Sequence, residues 1–397
     1  MNENFDLIIV GGGLVGGSLA LALRDSGLRI ALLEALSDAE RDASPQGDRA
    51  LALSRHSVQT LRALDVFDGI QDQSTPIQKI HVSDRGHFGK VRLDAGARRV
   101  DALGHVLLAR TLESAISRAI SEEDSITRLA PARILSLSPG PERVLASIRM
   151  ENLDQVISAP LLVGADGGQS TVRSLLGLSQ TMKDYGQTAI VTEVSTQLDH
   201  AGTAFERFTQ TGPLALLPVG PKRCSVVWTL EKGEAEALLQ ESDAEVLKKL
   251  QAAFGNWLGA LKIERKPQGF PLRLLRTEPR VDLRVALIGN ALHTIHPVAG
   301  QGFNLGLRDA LVLAERITAR RRLGEDIGEA RFLEQYRLAR KQDLDQVVHF
   351  TDGLIRIFSN DLPPLVVLRN LALMTLDRLP FAKRSLARRA MGYGTGR

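Results

Sequence analysis

Hydrophobic and polar positions follow two rhythms along this chain. Leu7 to Val10 is an unbroken apolar run, then come glycines, then a stretch of small and aliphatic residues, and a second apolar run from Arg29 to Leu33 ends at Glu34. Short apolar runs punctuated by glycine read as buried strands and the stretch between them as a helix, so the N-terminus predicts a β–α–β unit. Ile157 to Gly177 gives another short strand, ending in Gly164-Ala165-Asp166-Gly167, with Ser170 and Arg173 at the start of a helix. Arg284 to Ile317 repeats the theme: a strand, Gly289-Asn290, a long glycine-bearing loop, and an apolar-periodic helix that begins near Gln301 to Asn304.

Between these segments the rhythm changes. Ala189 to Ser195, Thr203 to Phe208, Leu214 to Val219 and Cys224 to Leu230 read as four strands separated by Gly, Pro and polar turns. Together they predict a mostly antiparallel sheet. Lys79 to Ser83 and Val91 to Leu93 add two strands, with RGHFG as their turn.

Composition narrows the class. At 397 residues the chain exceeds the size at which one core usually stops growing, so two domains are expected. Hydrophobic residues make up 44% and charged residues 24%, the balance of an ordinary globular protein. Cys224 is the sole cysteine, which excludes an intramolecular disulfide, a thiolate zinc site and an iron–sulfur cluster, and points to a reducing compartment. The first residues carry acids where a secretory signal carries positive charge, so no export is expected. Val285 to Leu307 lacks Asp, Glu, Lys and Arg, yet its asparagines, histidines, proline and glycines argue against a membrane span.

Three glycines carry the strongest local signal. Gly11, Gly13 and Gly16 fit G-x-G-x-x-G between a strand and a helix: the first makes the tight turn, the second admits a pyrophosphate to the backbone, the third lets helix pack on strand. The pyrophosphate would sit where unpaired N–H groups and the positive end of the helix dipole converge. Glu34 stands at the end of the second strand, where a carboxylate accepts from an adenosine ribose and repels a 2′-phosphate. The pattern therefore favours FAD or NAD over NADP. A purely structural turn is the competing reading.

His293 and His296 raise the question of a metal. No Cys, Asp or Glu lies between Val285 and Leu307 to complete a local ligand set, and two imidazoles seldom hold an ion, so no metal is expected. The favoured role is structural, one ring bonding backbone at the turn, with flavin or substrate contact second.

Taken together, GGGLVG with Glu34, GADGGQSTVR and IGNALHTIHPVAGQGFNLGLRD resemble the flavin-dependent aromatic hydroxylases typified by para-hydroxybenzoate hydroxylase, across nearly the whole chain. DRALALSRHSVQTL at 48–61, HVSDRGHFG at 81–89 and FSNDLPPLVVLRNLALMTLDRLP from Phe358 resemble the hydroxylases of ubiquinone biosynthesis, in particular those acting on 2-polyprenyl-6-methoxyphenol. The wider family has Gly-Asp where this chain has Gly289-Asn290; an amide oxygen accepts the ribityl hydrogen bond without a charge.

The fold this resemblance implies is α/β. A Rossmann-like FAD-binding domain of the GR2 type would span 1–75, 101–178 and 280–350. An inserted β-sheet domain for substrate would span 76–100 and 179–279, and a C-terminal helical region 351–397. Gly300 and Gly302 would let backbone lie against the flavin ring, Pro297 would wall its reactive carbon, and Gln301, Phe303 and Asn304 would open the helix facing its anionic edge. A helix N-terminus acts as roughly half a positive charge, worth about 1 kcal/mol there. Arg49, Arg110, Asp166 and Asn290 would contact FAD, with a surface salt bridge as the competing reading for each arginine and a helix cap for Asp166. Phe205, Leu216 and Pro218 would line the substrate pocket, although an ordinary sheet core explains their apolar character equally well.

The activity implied is NAD(P)H- and dioxygen-dependent hydroxylation of a polyprenylated phenol through a C4a-hydroperoxyflavin. One dinucleotide fingerprint is present, so nicotinamide would bind transiently. Two other readings stay open: a flavin dehydrogenase without oxygenase chemistry, and a non-catalytic FAD-holding subunit of a biosynthetic complex. From Leu365 to Arg397 there are seven Lys or Arg and one acid among apolar residues. Such a stretch suits either peripheral contact with an anionic membrane, on the inner face of a cytoplasmic location, or helix packing and oligomer contact. The formal charge of +4 brings no nucleic-acid motif with it.

Overall fold

The computed structural model of the chain describes residues 2–151, 153–295, 301–358 and 363–393. The Leu7–Val10, Ile30–Leu33, Ile126–Leu129, Leu161–Gly164 and Val285–Leu287 strands form a parallel sheet. Leu7–Val10 is its centre, flanked by Leu161–Gly164 and Ile30–Leu33, with Val285–Leu287 and Ile126–Leu129 at the edges. Its strands are short and nearly all apolar because both faces are covered. Leu19, Ile116 and Leu313, from the Leu14–Ala22, Ala109–Ser121 and Gln301–Arg322 helices, pack on one face. On the other lies a second sheet built from Ala132–Pro139, Val144–Met150 and Leu153–Ala159, joined by Asn2–Asn4.

An eight-stranded sheet stands beside this unit. Its order is His293–Thr294, Leu261–Thr277, Gln180–Thr196, Arg223–Glu231, Gly212–Gly220, Thr203–Thr209, Lys79–Asp84 and Lys90–Asp94. All neighbours run antiparallel except Thr203–Thr209 with Lys79–Asp84. The Lys232–Leu238 and Asp243–Phe254 helices cover one face, burying Leu214, Leu216, Val226 and Ile190 against Leu250 and Phe254. The opposite face meets a small sheet of Ala50–Ser54, Gly104–Leu108 and Thr75–Ile77, where Leu217 and Val219 pack near Ile77 and Val106. Both faces of the central strands are thus apolar, but only one looks toward the glycine-rich strand ends.

Three helices follow. Ala330–Phe358 runs unbroken through position 351, and Pro363–Arg378 and Pro380–Ala390 fold back on the Lys79–Asp94 hairpin. The attachment is a buried ion pair: Arg369 Nε donates to Asp84 Oδ2 at 2.7 Å with each side chain 3% exposed. Asn370 Nδ2 also donates to Asp84 at 3.1 Å, and its oxygen accepts from the Gly89 amide at 2.6 Å. Phe358 stacks on Phe208 with centroids 3.9 Å apart. Desolvating the Asp84–Arg369 pair makes losing one partner far costlier than never having the pair, so this joint is specific rather than merely sticky.

Candidate active site

Parallel strands end on the same side of their sheet, and four of the sequence motifs sit at those ends. Gly11 follows the central strand, Glu34 the next, Ala165-Asp166 the strand on the other flank, and Gly289-Asn290 the edge strand. Gly11 has a φ of +103°, and a Cβ there would stand 2.6 Å from the Ala165 carbonyl oxygen. At Gly16 a Cβ would lie 2.0 Å from the Gly11 carbonyl oxygen, so the helix can approach the strand only without one. Gly13 has open space instead, at the N-cap of Leu14–Ala22. That is the cradle a pyrophosphate needs: a tight turn, bare backbone and a helix N-terminus.

Glu34 is held toward this turn. Its Oε2 accepts from the Gly12 amide and its Oε1 from the Leu36 amide, both at 3.0 Å. On the facing helix, burial pushes the half-buried Glu113 carboxyl above the usual range despite Arg49, Arg41 and Arg110 nearby. Arg49 is exposed and forms no hydrogen bond or ion pair among the described residues. Arg110 is committed differently: its Nε donates to Asp48 at 2.7 Å and a terminal nitrogen to the Asp42 carbonyl at 3.0 Å. A phosphate contact by Arg110 therefore requires that pair to open.

Asp166 is placed as a helix cap, with Oδ1 accepting from Ser170 at 2.5 Å and Oδ2 from the Val172 amide at 3.1 Å. Arg173, to which the sequence alone assigns no partner, ties two of the motif loops together. It is 9% exposed and donates to the Gly168 carbonyl at 2.7 Å and to the Ala291 carbonyl at 3.2 Å. Asn290 is exposed, in a 3₁₀ turn.

The histidine expectation is corrected. His293 bonds a carboxylate rather than backbone: its Nε2 lies 2.8 Å from Asp309 Oδ2, and Asp309 is fully buried. The same Oδ2 accepts from the Gly289 amide at 3.0 Å, while Oδ1 accepts from Arg340 Nε at 2.6 Å. Burial works to raise the Asp309 pKa, but the charge and hydrogen bonds of His293 and Arg340 outweigh it and hold it low. This carboxylate, on the Gln301–Arg322 helix, thus locks the Gly289 turn to that helix and to the Ala330–Phe358 helix. Its sequence signal is faint: an acid on the apolar side of a helix, two residues beyond the charge-free stretch Val285 to Leu307. Among the described residues no group of three or more His, Cys, Asp or Glu is arranged for a metal. His296, Pro297 and Gly300 lie outside the described residues.

The helix itself begins at Gln301, and a Cβ at Gly302 would meet nothing within 4 Å. Phe303 packs against the main core. The Asn304 side chain has a structural task of its own: it is 4% exposed and clamps the Ala50–Ser54 strand. Its Oδ1 accepts from the Ser54 amide at 2.9 Å and from Ser57 Oγ at 2.7 Å, and its Nδ2 donates to the Ala52 carbonyl at 2.9 Å.

A further correction concerns the pocket. Phe205, Leu216 and Pro218 lie on the face of the large sheet turned toward the Asp243–Phe254 helix; Phe205 meets Phe254 edge-on with centroids 5.4 Å apart, and Leu216 is fully buried in that core. Pro218 pairs with Cys224, whose thiol burial pushes up to about 12. Side chains alternate along a strand, so the face toward the cofactor cradle carries the intervening residues, Ala215, Leu217 and Val219. One cross-strand row there reads Val91, Val82, Glu206, Ala215, Val227 and Val191. Most of this row is half-buried where the opposite face is sealed. Arg265, further out on the sheet, reaches Asp48 at 3.3 Å and so bridges the two units beside Arg110.

These residues fit FAD. The bare-backbone cradle at Gly11, Gly13 and Gly16 takes a pyrophosphate, Glu34 stands at the adjacent strand end, and a second helix opens at Gln301 beside a half-buried apolar face.

The comparisons agree with that geometry. The FAD binding domain family matches residues 4–351. Ubiquinone hydroxylase UbiL of Rhodospirillum rubrum is 36% identical over 392 residues, covering 98% of this chain and 89% of that one. The 3-demethoxyubiquinol 3-hydroxylase of Escherichia coli is 31% identical, covering 98% of this chain and 99% of the other. Among solved structures, p-nitrophenol 4-monooxygenase of Pseudomonas putida superposes over the whole of both chains with a TM-score of 0.80 at 19% identity, a likeness of fold. The chain belongs to the FAD-dependent monooxygenase family, in the group formed by the ubiquinone-biosynthesis hydroxylases.

Proposed function

We propose that this chain hydroxylates the aromatic ring of a polyprenylated phenol of the 2-polyprenyl-6-methoxyphenol type, with FAD as resident cofactor, NAD(P)H as transient reductant and dioxygen as co-substrate. The observation that carries the reading is the half-buried apolar face of Val82, Ala215, Leu217, Val227 and Val191, turned toward the cradle that fits FAD. An aromatic ring with a hydrocarbon tail gains about 25 cal/mol per Å² of apolar surface laid on such a face. FAD, once reduced, supplies the activation of dioxygen; the chain supplies binding, orientation and exclusion of water. The start of the Gln301–Arg322 helix, tied through Asn304 to Ser54 and through Asp309 to Gly289, would present its amides to the anionic edge of the flavin.

A polyprenyl tail belongs to a membrane, and the C-terminal helices support peripheral contact with one. Val367, Leu368 and Leu371 on one helix, Leu379 and Phe381 at the start of the next, and Phe88 in the adjoining hairpin turn are all exposed, Phe381 at 85%. Arg384, Arg388 and Arg389, on the same helix as Phe381, are exposed as well. Apolar tips among cations are what an anionic lipid surface attracts. Among the described residues no helix is long and apolar enough to cross a membrane.

The test is turnover. Purified, FAD-loaded chain is given NADH and 2-farnesyl-6-methoxyphenol in air and under nitrogen, and the lipid is analysed by mass spectrometry. A hydroxylated ring formed only in air supports the proposal. NADH oxidation coupled to the phenol without oxygen would select a dehydrogenase, and stably bound FAD with no turnover a non-catalytic subunit.

A further inference from the structure

Glu206 sits where an apolar sheet face has no evident use for a carboxyl group. It is the single ionisable residue in the row of Val91, Val82, Ala215, Val227 and Val191, paired with Ala215 on one side and Val82 on the other. Its Oε1 is out of reach of solvent and has no hydrogen-bond partner among the described residues. No described residue gives the side chain an ion pair or hydrogen bond, and the residue is half-buried on this face. Leaving such an oxygen unmatched is costly, and natural structures seldom do so without a ligand or a function to meet it.

The surroundings place Glu206 on the side of the sheet that faces the cofactor cradle. Ala204 and Phe208, on the same side of the strand as Glu206, pack with Ile77 and Val106 of the small sheet. That sheet is held by Asn304 in the first turn of the helix that opens toward the flavin. We propose that Glu206 is a catalytic residue that accepts the hydrogen bond of the substrate's ring hydroxyl and takes its proton as the ring is attacked. The inference rests on the phenol reading above. The balance is simple: the phenol O–H bond breaks, an O–H bond forms on the carboxylate, and the electron pair left on the phenol oxygen raises the electron density of the ring carbons. No oxidant beyond those of the reaction is required for this step.

The charged neighbours leave Glu206 to titrate by itself. Asp84, two residues further along the adjacent strand, is neutralised by Arg369. Arg207 faces the other side of the sheet, with Nε on the Ala253 carbonyl. Glu193 and Arg265 lie on outer strands, paired with Arg223 and Asp48 respectively. Of the small sheet, His105 is bonded to Ser74 and Arg49 is exposed. Burial alone lifts the Glu206 carboxyl to about 7. Above that pH the carboxyl is charged and can accept a phenol's proton.

Glu206→Gln and Glu206→Asp, both checked for full FAD content by their visible spectra, are compared with wild type on 2-farnesyl-6-methoxyphenol from pH 5.5 to 9. Wild-type kcat/KM is expected to rise as pH passes about 7, where the carboxyl loses its proton. In Glu206→Gln that limb should vanish and the rate at pH 8 fall about 100-fold or more. A ring-fluorinated analogue, ionised without help, should recover much of the loss in Glu206→Gln. Glu206→Asp should keep the limb at reduced rate, which purely structural damage would not do. Unchanged rate and an intact limb in Glu206→Gln would overturn the assignment while leaving the phenol reading standing; a wild type that never hydroxylates the phenol defeats that reading, and this one with it.

Discussion

Asp309 shows how much one side chain can organise at a site it does not face. It joins the Gly289 amide, His293 and Arg340, and all its partners are buried. Asp309→Ala would strand a buried guanidinium and a buried ring, so a loss of about 3–5 kcal/mol in urea unfolding is expected, together with weaker FAD retention. A loss below 1 kcal/mol would show that the lock is ornamental. Glu206 gives a stability prediction of the opposite sign. Its folded pKa of about 7 lies above the ordinary 4.5, so the folded state holds a proton that the unfolded state releases between those values. Wild-type stability should therefore fall as pH rises from about 4.5 through 7, and the deficit should be complete above 7. At about 1.4 kcal/mol per unit, Glu206→Gln should be more stable than wild type by up to about 3 kcal/mol at pH 8, with the gap closing near pH 5 in thermal melts. A gap that ignores pH would mean the carboxyl is already satisfied.

At the scale of elements, glycine spacing and apolar runs were legible where backbone geometry forces them. The Leu7–Val10 strand is found at its expected bounds, and Gly11 and Gly16 make a turn that a Cβ at either position would block. Gly16→Ala, with its Cβ 2.0 Å from the Gly11 carbonyl, should separate helix from strand and abolish FAD binding measured by flavin fluorescence. FAD held as tightly as in wild type would contradict the cradle. Which face of a strand meets the cofactor was not legible. Leu214 to Val219 is apolar on both sides because both sides are covered, so parity alone could not separate Leu216 from Leu217. The Leu261–Thr277 strand also escaped the reading, since its bulged register with Gln180–Thr196 breaks the alternation that marks a strand. Bracing side chains were hard to separate in the same way: Asp166, a helix cap, and Asn304, a strand clamp, look like cofactor ligands in sequence because the residues that brace a loop are the residue types that bind a cofactor.

The whole molecule is an α/β unit and a large sheet closed around a seam, with C-terminal helices fastening one end through Asp84 and Arg369. Substrate enters such a seam from lipid if the exposed Leu368, Phe381 and Phe88 touch a membrane. Wild type should therefore float with anionic vesicles of phosphatidylglycerol, and Leu368→Ser with Phe381→Ser should remain in the aqueous fraction with activity on a short-tailed phenol retained. Equal flotation of both would place membrane contact elsewhere.

The central claim is that the seam joins one oxygen atom to a phenol ring beside bound FAD. It is tested most directly by turnover of 2-farnesyl-6-methoxyphenol under isotopically heavy dioxygen in ordinary water, with the ring product analysed by mass spectrometry. The proposed function predicts one heavy oxygen atom in each newly hydroxylated ring. A product whose new oxygen comes from water, or no ring hydroxylation by FAD-loaded enzyme, would contradict it.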